Sequence, residues 1–357
     1  MVNIVTGEGA VFYWAIEASF GNAGVGMPIT ATATHQPFNP IEGKVSLPVP
    51  YYEQEIIYLQ PDLDPDADFI YDSEYIDAKG QFPNSNGLIY HDPFLMLGLV
   101  FTRKTATGTW GGGAGTYGKL TGDFVTNAHE DTIMFQYKTV DKDAVTIEDK
   151  TLLGIKSEEF RIGFKNKGLL RTWYNLITMN ETDNSRDYSK VAAFDDDKWA
   201  DWAKSTFYRA SDCKIYWDDS FTAELTDIKI EDCYFIIKTP QAYLKTSDSL
   251  KAQYRHNKNR AYQAEIRGLV LGDTELDEFR AAYSSKTKKN LRLSWDQTAN
   301  ETKFLDIDDA FIRGMKESEI PGAAEVYRVT LAFEGISADF EGNYNNLTDP
   351  TGRVTVA

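Results

Sequence analysis

Cysteine is scarce in this chain, with two among 357 residues, Cys213 and Cys233. Two thiols cannot build a disulfide framework and are too few for a zinc site, so they read as buried thiols of a reducing compartment. Histidine is nearly as sparse. His35, His91, His129 and His256 stand singly, with no H-x-x-x-H spacing, so the sequence offers neither a metal centre nor a triad. His129-Glu130-Asp131 is contiguous, but neighbours on one strand point to opposite faces. There is no G-x-S-x-G elbow. No apolar run approaches the ~20 residues of a membrane span. The opening Met1–Glu17 has no basic stretch and predicts no secretory signal. Without secretion, the sequons at Asn180, Asn300 and Asn346 carry no meaning. Bases are outnumbered too: 37 Lys+Arg against 54 Asp+Glu leave a net charge of −17. That excludes a protein that grips nucleic acid, which needs Lys and Arg to neutralise phosphates, but not one that lies near DNA without holding it.

What is present is apolar mass. Hydrophobic residues make up 42% and aromatics 13%, enough for a sizeable core and too much for a disordered chain. The strongest local signal has period two. Tyr327, Val329, Leu331 and Phe333 share one face against Arg328 and Thr330, and Leu291, Leu293 and Trp295 alternate with Arg292, Ser294 and Asp296. Phe160, Ile162 and Phe164 do likewise, Ile228 and Ile230 run into Cys233–Ile237, and Ile133–Tyr137 is another strand. These are half-buried strands of an antiparallel sheet. Two helix starts stand out. Asp92 can cap a helix with Pro93 at its first position, and Asp273 or Thr274 can cap one whose apolar stripe is Leu276, Phe279 and Tyr283. A third, weaker helix signal covers Asp196–Ala203, with Trp199 and Trp202.

The order of elements repeats. The first half reads strand (about 68–82), helix (93–101), strand (132–137), strand (158–164, then 169–179). The second reads strand (262–270), helix (274–283), strand (291–296), strand (303–307, then 326–336). The fold class predicted is mainly β: two similar β-sandwich or barrel lobes, each with one α-helix, plus long extended arms and loops. The expected layout is an N-terminal lobe over 1–180, a linker over 181–220 and a C-terminal lobe over 221–357. The first lobe carries an extended arm (about 21–60) holding Pro28, Pro37, Pro40, Pro48 and Pro50, and a Gly-rich loop (about 105–122). Loops this long inside compact domains serve function or partners.

Gly113–Lys119 fits G-x-x-x-x-G-K, but Leu120 stands where the magnesium hydroxyl belongs and no helix start follows, so a glycine loop is the reading. Asp62, Asp64, Asp66 and Asp68 alternate as in calcium loops, yet Ala67 and Ser73 replace the required Gly and Glu, which favours a solvated acidic turn. Trp173, Tyr174, Trp199, Trp202 and Trp217 read as core or interface anchors before a sugar platform. The basic runs Arg255–Arg260 and Lys286–Lys289 lack aromatic interleaving and read as solvated turns or halves of acidic contacts. No catalytic, cofactor-binding or metal residue is predicted, no cofactor, and no enzyme activity.

Several stretches together resemble the major tail tube proteins of long, non-contractile-tailed bacteriophages, the siphophage tail tube family. They are Glu17-Ala-Ser-Phe-Gly-Asn-Ala, then Asp92–Thr102 with its Thr/Gly-rich sequel, then Leu152–Leu170, and last Tyr327–Gly335. Their order spans roughly Val11 to Ile336, while Cys213, Trp217 and Asp195–Trp202 match nothing in the pattern. The resemblance implies a structural virion protein of the phage tail, assembled in the host cytoplasm. It would self-assemble into stacked rings, trimeric and pseudo-hexameric or hexameric, that form the conduit for DNA ejection. Its implied partners are other copies of itself, a tape measure in the lumen, a tail terminator and a distal tail protein, with double-stranded DNA only as passing cargo and no membrane insertion. Acids on the non-core sides of the inner strands are expected to line the lumen and repel phosphate. The alternatives are a carbohydrate- or receptor-binding β-sandwich of a virion, and the inner tube of a contractile system.

Overall fold

A computed structural model describes residues 10–16, 36–37, 51–58, 71–81, 94, 103–108, 117–123, 133–140, 146–166, 168–178, 180–183, 208–244, 254–257, 260–296, 302–317 and 326–345. The first half contributes β1 (Ala10–Ile16), β2 (Gln36–Pro37), β3 (Tyr51–Tyr58), β4 (Tyr71–Gln81), β5 (Arg103–Gly108), β6 (Tyr117–Asp123), β7 (Ile133–Val140), β8 (Thr146–Phe164), β9 (Arg171–Thr178) and β10 (Asn180–Asp183). The second contributes β11 (Cys213–Trp217), β12 (Ile228–Lys238), β13 (Gln241–Leu244), β14 (Tyr254–Asn257), β15 (Ala261–Val270), α1 (Thr274–Ser285), β16 (Lys288–Asp296), β17 (Thr302–Glu317), β18 (Arg328–Gly335) and β19 (Ser337–Asn345). The protein is mainly β and antiparallel, as its alternating pattern predicts. Seventeen strands hydrogen-bond into one curled sheet, with β13 and β14 a separate hairpin.

Two strands organise the fold because they are long enough to serve two layers. β8 has 19 residues and β17 has 16. On one edge the first part of β8 pairs with β7 and its last part with β12, and β10 and β9 run along the other edge. β17 likewise takes β16 beside its first part and β18 and β19 along its opposite edge. The result is one continuous layer, β3-β4-β9-β8-β12-β15-β18-β17, that passes through both halves. A second, split layer is β2-β1-β7-β8-β10 in the first half and β11-β16-β17-β19-β6-β5 in the second.

The two layers bury their facing residues in a single cluster. Phe160, Ile162, Phe164, Phe235, Ile237, Ile266, Leu331 and Phe333 come from the continuous layer, and Ile215, Leu291, Leu293, Trp295, Leu305, Ile307 and Phe340 from the split one. These are the positions that period-two patterning puts on one face. α1 closes the cluster with Leu276, Phe279 and Ala282, Phe279 lying 5.2 Å from the ring of Trp217. Here the stripe differs from expectation, for Ala282 takes the buried place and Tyr283 is 44% exposed. Asp273 occupies the N-cap position but makes no side-chain cap, its backbone being αR rather than extended. Of the expected helix at 93–101 only Phe94 is described. It is fully buried against Tyr208, Trp295 and Phe340, with ring centroids 5.0, 5.3 and 5.8 Å apart, so a first-half residue completes the second-half core.

Two expected irregular stretches contain strands. The span expected as a Gly-rich loop (about 105–122) is largely the β5–β6 hairpin, whose Thr105, Thr107 and Thr121 suit a pleated backbone. Cys213–Trp217, inside the stretch expected as a linker, is β11, held along β16 with Trp217 in the core. The extended arm before residue 51, apart from β2, and the third helix signal lie outside the described residues.

The pairing pattern of the first half recurs in the second, down to two of its irregularities. In β7–β8, Ile133 faces Ile155 and the next pair is Phe135 with Leu152; in β16–β17, Lys289 faces Ala310 and the next pair is Leu291 with Ile307. In both, the short strand advances two residues while the long strand advances three. Further along, β8 skips Glu158 against β9 and β17 skips Arg313 against β18, a second bulge at the matching place. β1 runs along β7 as β11 runs along β16, and β10 runs along β8 as β19 runs along β17. The β5–β6 hairpin has no counterpart, since only residues 286–287 separate α1 from β16. Because each one-residue slip would turn buried side chains outward, such register agreement is a strongly specified property of a strand pair.

Candidate assembly surface

The seam where the halves join is β8 against β12, with Lys238 opposite Glu159 and Cys233 opposite Phe164. Gly163 is what lets the two backbones close. A Cβ on it would stand 2.1 Å from the carbonyl oxygen of Cys233 and 2.8 Å from Cα of Tyr234. Beyond Lys238, the amide of Thr239 donates to the carbonyl of Glu158 at 2.8 Å, and its hydroxyl donates to that of Ser157, which finishes the seam at the β8 bulge.

On the outward face of the continuous layer, each described acid has a basic partner, and Lys229 and Lys316 stand exposed on the same face. Glu159 lies 3.9 Å from Lys238, Glu265 3.9 Å from Arg161, Asp232 3.6 Å from Arg267, Glu231 2.9 Å from Arg328 and Glu334 3.1 Å from Arg313. The Arg161 guanidinium also lies over Tyr234 at 3.7 Å and Trp173 at 5.4 Å. Trp173 is therefore covered by an arginine and is not a bare stacking platform, while Trp217 and Tyr174 are core residues. Antiparallel pairing sets opposite charges side by side on one face, where they stabilise one another.

On the outward face of the split layer, acids of β17 and β19 stand beside one another. Asp306 stands directly opposite Asp339, and Phe304, the next residue on that face, stands opposite Glu341. Burial pushes the Asp306 carboxyl up from its ordinary value. Arg292 opposes the shift with two hydrogen bonds, at 2.8 and 2.7 Å, while Asp308 and Glu341 add to it. Nearby, Asp218 accepts from the amides of Ser220, Thr222 and Ala223 at 2.8, 3.3 and 3.1 Å.

Two edges of the continuous layer remain. One is β3, paired with β4 alone, and the other is the last part of β17, Gly314–Glu317, paired with β18 alone among the described residues. α1 sits beside the second, where Arg280 meets the Glu317 carboxylate at 2.5 Å and Tyr327 donates its hydroxyl to the same group. Hydrogen bonds from Arg280 and then Tyr327 hold the Glu317 carboxyl down at about 2, against the opposing effect of burial.

The remaining sequence motifs scatter. Tyr117, Gly118 and Lys119 open β6, so a strand stands where a phosphate loop needs a helix. Lys289 of the second basic run pairs with Glu278 of α1 and lies 4.9 Å over the Trp217 ring, an internal contact. His256 lies on β14 and Asn180 opens β10. Asp62–Asp68, His35, His91, His129, Trp199, Trp202, Asn300 and Asn346 lie outside the described residues. Cys213 and Cys233 are free thiols in contact across the core, and burial followed by the Cys233 neighbour pushes the Cys213 thiol up. Among the described residues no group of three or more His, Cys, Asp or Glu is placed to hold a metal, and no helix is long and apolar enough to cross a membrane.

No family model and no curated protein matches the chain. Among solved structures, a chain of the virion of a native gene transfer agent particle aligns with it at 11% identity and a TM-score of 0.26. That alignment covers 35% of this chain and 92% of the other, and a likeness of this degree says nothing about function.

Proposed function

We propose that this chain is a structural virion protein, the major tail tube subunit of a long-tailed phage, that closes into rings stacked around a DNA conduit. One observation carries the reading: a single layer of eight strands runs unbroken through two register-matched halves and ends, among the described residues, in two open edges. A lone protein has reason to hide such edges, whereas a ring uses them as inter-subunit hydrogen bonds. Two repeated halves per chain suit a trimer with pseudo-sixfold symmetry, and head-to-tail stacking of rings is an open interface that yields a filament. The outward face of the continuous layer would line the lumen. Each acid described on that face has a basic partner within 4 Å, so the wall would present no cluster of bare carboxylates to DNA.

Negative-stain electron microscopy of the purified full chain tests this. The expected result is rings or tubes with an open lumen and three- or sixfold end views. Compact particles of single-chain mass at high concentration and across salt overturn it.

A further inference from the structure

We infer that Cys213 and Cys233 form a disulfide site which, on oxidation by a peroxide, staples the split layer to the continuous layer. The inference goes beyond the ring reading and does not depend on it. The two thiols come from opposite layers and face one interior. Cys213 opens β11 opposite the buried Trp295, on the inward side with Ile215 and Trp217, and packs against the core. Cys233 stands between Phe164 of β8 and Ile266 of β15, both inward residues, and is itself buried. Period two in each layer therefore aims both sulfurs into the core. The turn before β11 brings them to one level. Ala210–Asp212 lies against β12, and the Ala210 amide donates to the carbonyl of Gly168 at 3.1 Å, just past the end of β8. Asp232, the neighbour of Cys233, accepts from the amide of Asn166 at 2.7 Å at that same end. The chain entering β11 is thus held where β8 finishes against β12, and there the two side chains meet.

The thiols are unequal, which sets the order of events. Cys213 keeps part of its surface in solvent, whereas Cys233 is 1% exposed. A peroxide reaches the first and not the second. The Cys213 thiolate attacks hydrogen peroxide, the O–O bond breaks, and a sulfenic acid and hydroxide result. The Cys233 sulfur then displaces the sulfenic hydroxyl, which leaves as water with the Cys233 proton. In sum, two thiols and one peroxide give one disulfide and two waters. Burial first, then Cys233, with Asp212 and Glu224 adding to it, pushes the Cys213 thiol up, so thiolate is scarce near neutral pH and the first step is slow. A reducing compartment keeps such a pair open, and long exposure to oxidant outside it closes the link. The closed loop between β11 and β12 spans about 20 residues and restricts the unfolded chain.

The test treats the folded full chain with hydrogen peroxide at about pH 8.5, alkylates remaining thiols with iodoacetamide, and then denatures it. The expected product takes up no alkyl group, weighs about 2 Da less than the reduced chain, and yields one peptide pair joined through Cys213 and Cys233 that dithiothreitol separates. Its thermal midpoint should rise by about 3–6 °C over the reduced protein. In Cys213→Ser, Cys233 should remain a thiol through the same exposure. In Cys233→Ser, Cys213 should stop at a sulfenic acid that dimedone captures. Sulfinic or sulfonic acid at Cys213 with Cys233 still alkylated overturns the inference. So do disulfides between chains, a bridge that lowers the midpoint, or thiols unchanged under conditions that oxidise the urea-unfolded chain.

Discussion

The continuous and split layers share one core yet treat charge in opposite ways. On the outward face of the continuous layer each acid has a base within 4 Å, and most of those pairs are half exposed: Lys238 and Glu159 keep 44% and 40% of their side-chain surface in solvent. On the split layer Asp306 faces Asp339 with Glu341 and Asp308 close by, and Arg292 holds Asp306 with two hydrogen bonds. A count of charges along the sequence reads the sum and misses the placement, because the sign of a face depends on which strands lie side by side. The continuous layer gives each of its described acids a base, and the split layer sets acids opposite one another.

The largest expected effect breaks the continuous layer at its join. Gly163→Val places branched carbon where the Cys233 carbonyl already stands, and neither backbone can retreat without opening β8 from both β9 and β12. We expect a loss of about 3 kcal/mol or more, measured from urea midpoints. Gly314→Ala is the matching control on the open edge, where space is available; it should leave the midpoint within about 0.5 kcal/mol. Equal losses at the two glycines would mean that the seam is no tighter than the free edge.

Next in size is the split layer. Arg292→Gln strips the carboxylate group of its counter-charge, and a loss of about 2–3 kcal/mol at neutral pH is expected for a pair this poorly exposed. The pH dependence carries the sign. Burial already holds the Asp306 carboxyl above its unfolded value, so the native state binds the proton more tightly and stability falls as pH rises through the folded pKa. Removing Arg292 raises that carboxyl further and steepens the fall. The deficit of the variant should therefore be larger at about pH 7 than at about pH 4, the range of an unperturbed carboxylate. A deficit that does not change between these conditions would show that Arg292 acts by packing alone.

Much of this architecture is legible in the residues. Phe160, Ile162 and Phe164, or Leu291, Leu293 and Trp295, announce their strands because one face is buried and the other wet. α1 is legible from Leu276 and Phe279 and from its first-turn acids. The long strand β17 is only half legible. Asp308, Asp309 and the bulge at Arg313 interrupt the alternation, and the strand continues through them because β18 and β19 supply partners on the far edge. β11 is short, and its core residue Trp217 gains meaning only beside β16 and Phe279. Register agreement between the halves is invisible in the sequence, since it resides in which backbones pair and not in which side chains they carry.

The smallest expected effect sharpens the contrast from the other side. Lys238→Gln removes one member of a matched pair on the continuous layer and leaves Glu159 without that counter-charge at the seam. Both side chains are well hydrated, so the Coulomb gain lost is mostly replaced by water, and the change in stability should stay within about 0.5 kcal/mol. If these pairs serve to neutralise the face, the consequence lies elsewhere: assembly of the variant should become more salt-dependent than that of the parent, because each added copy brings an unmatched carboxylate to the same wall. Sedimentation of assembled material from low to high salt measures this. A Lys238→Gln loss as large as that of Arg292→Gln would erase the distinction between the layers, for it would mean that half-exposed pairs hold the continuous layer together and their neutrality is incidental.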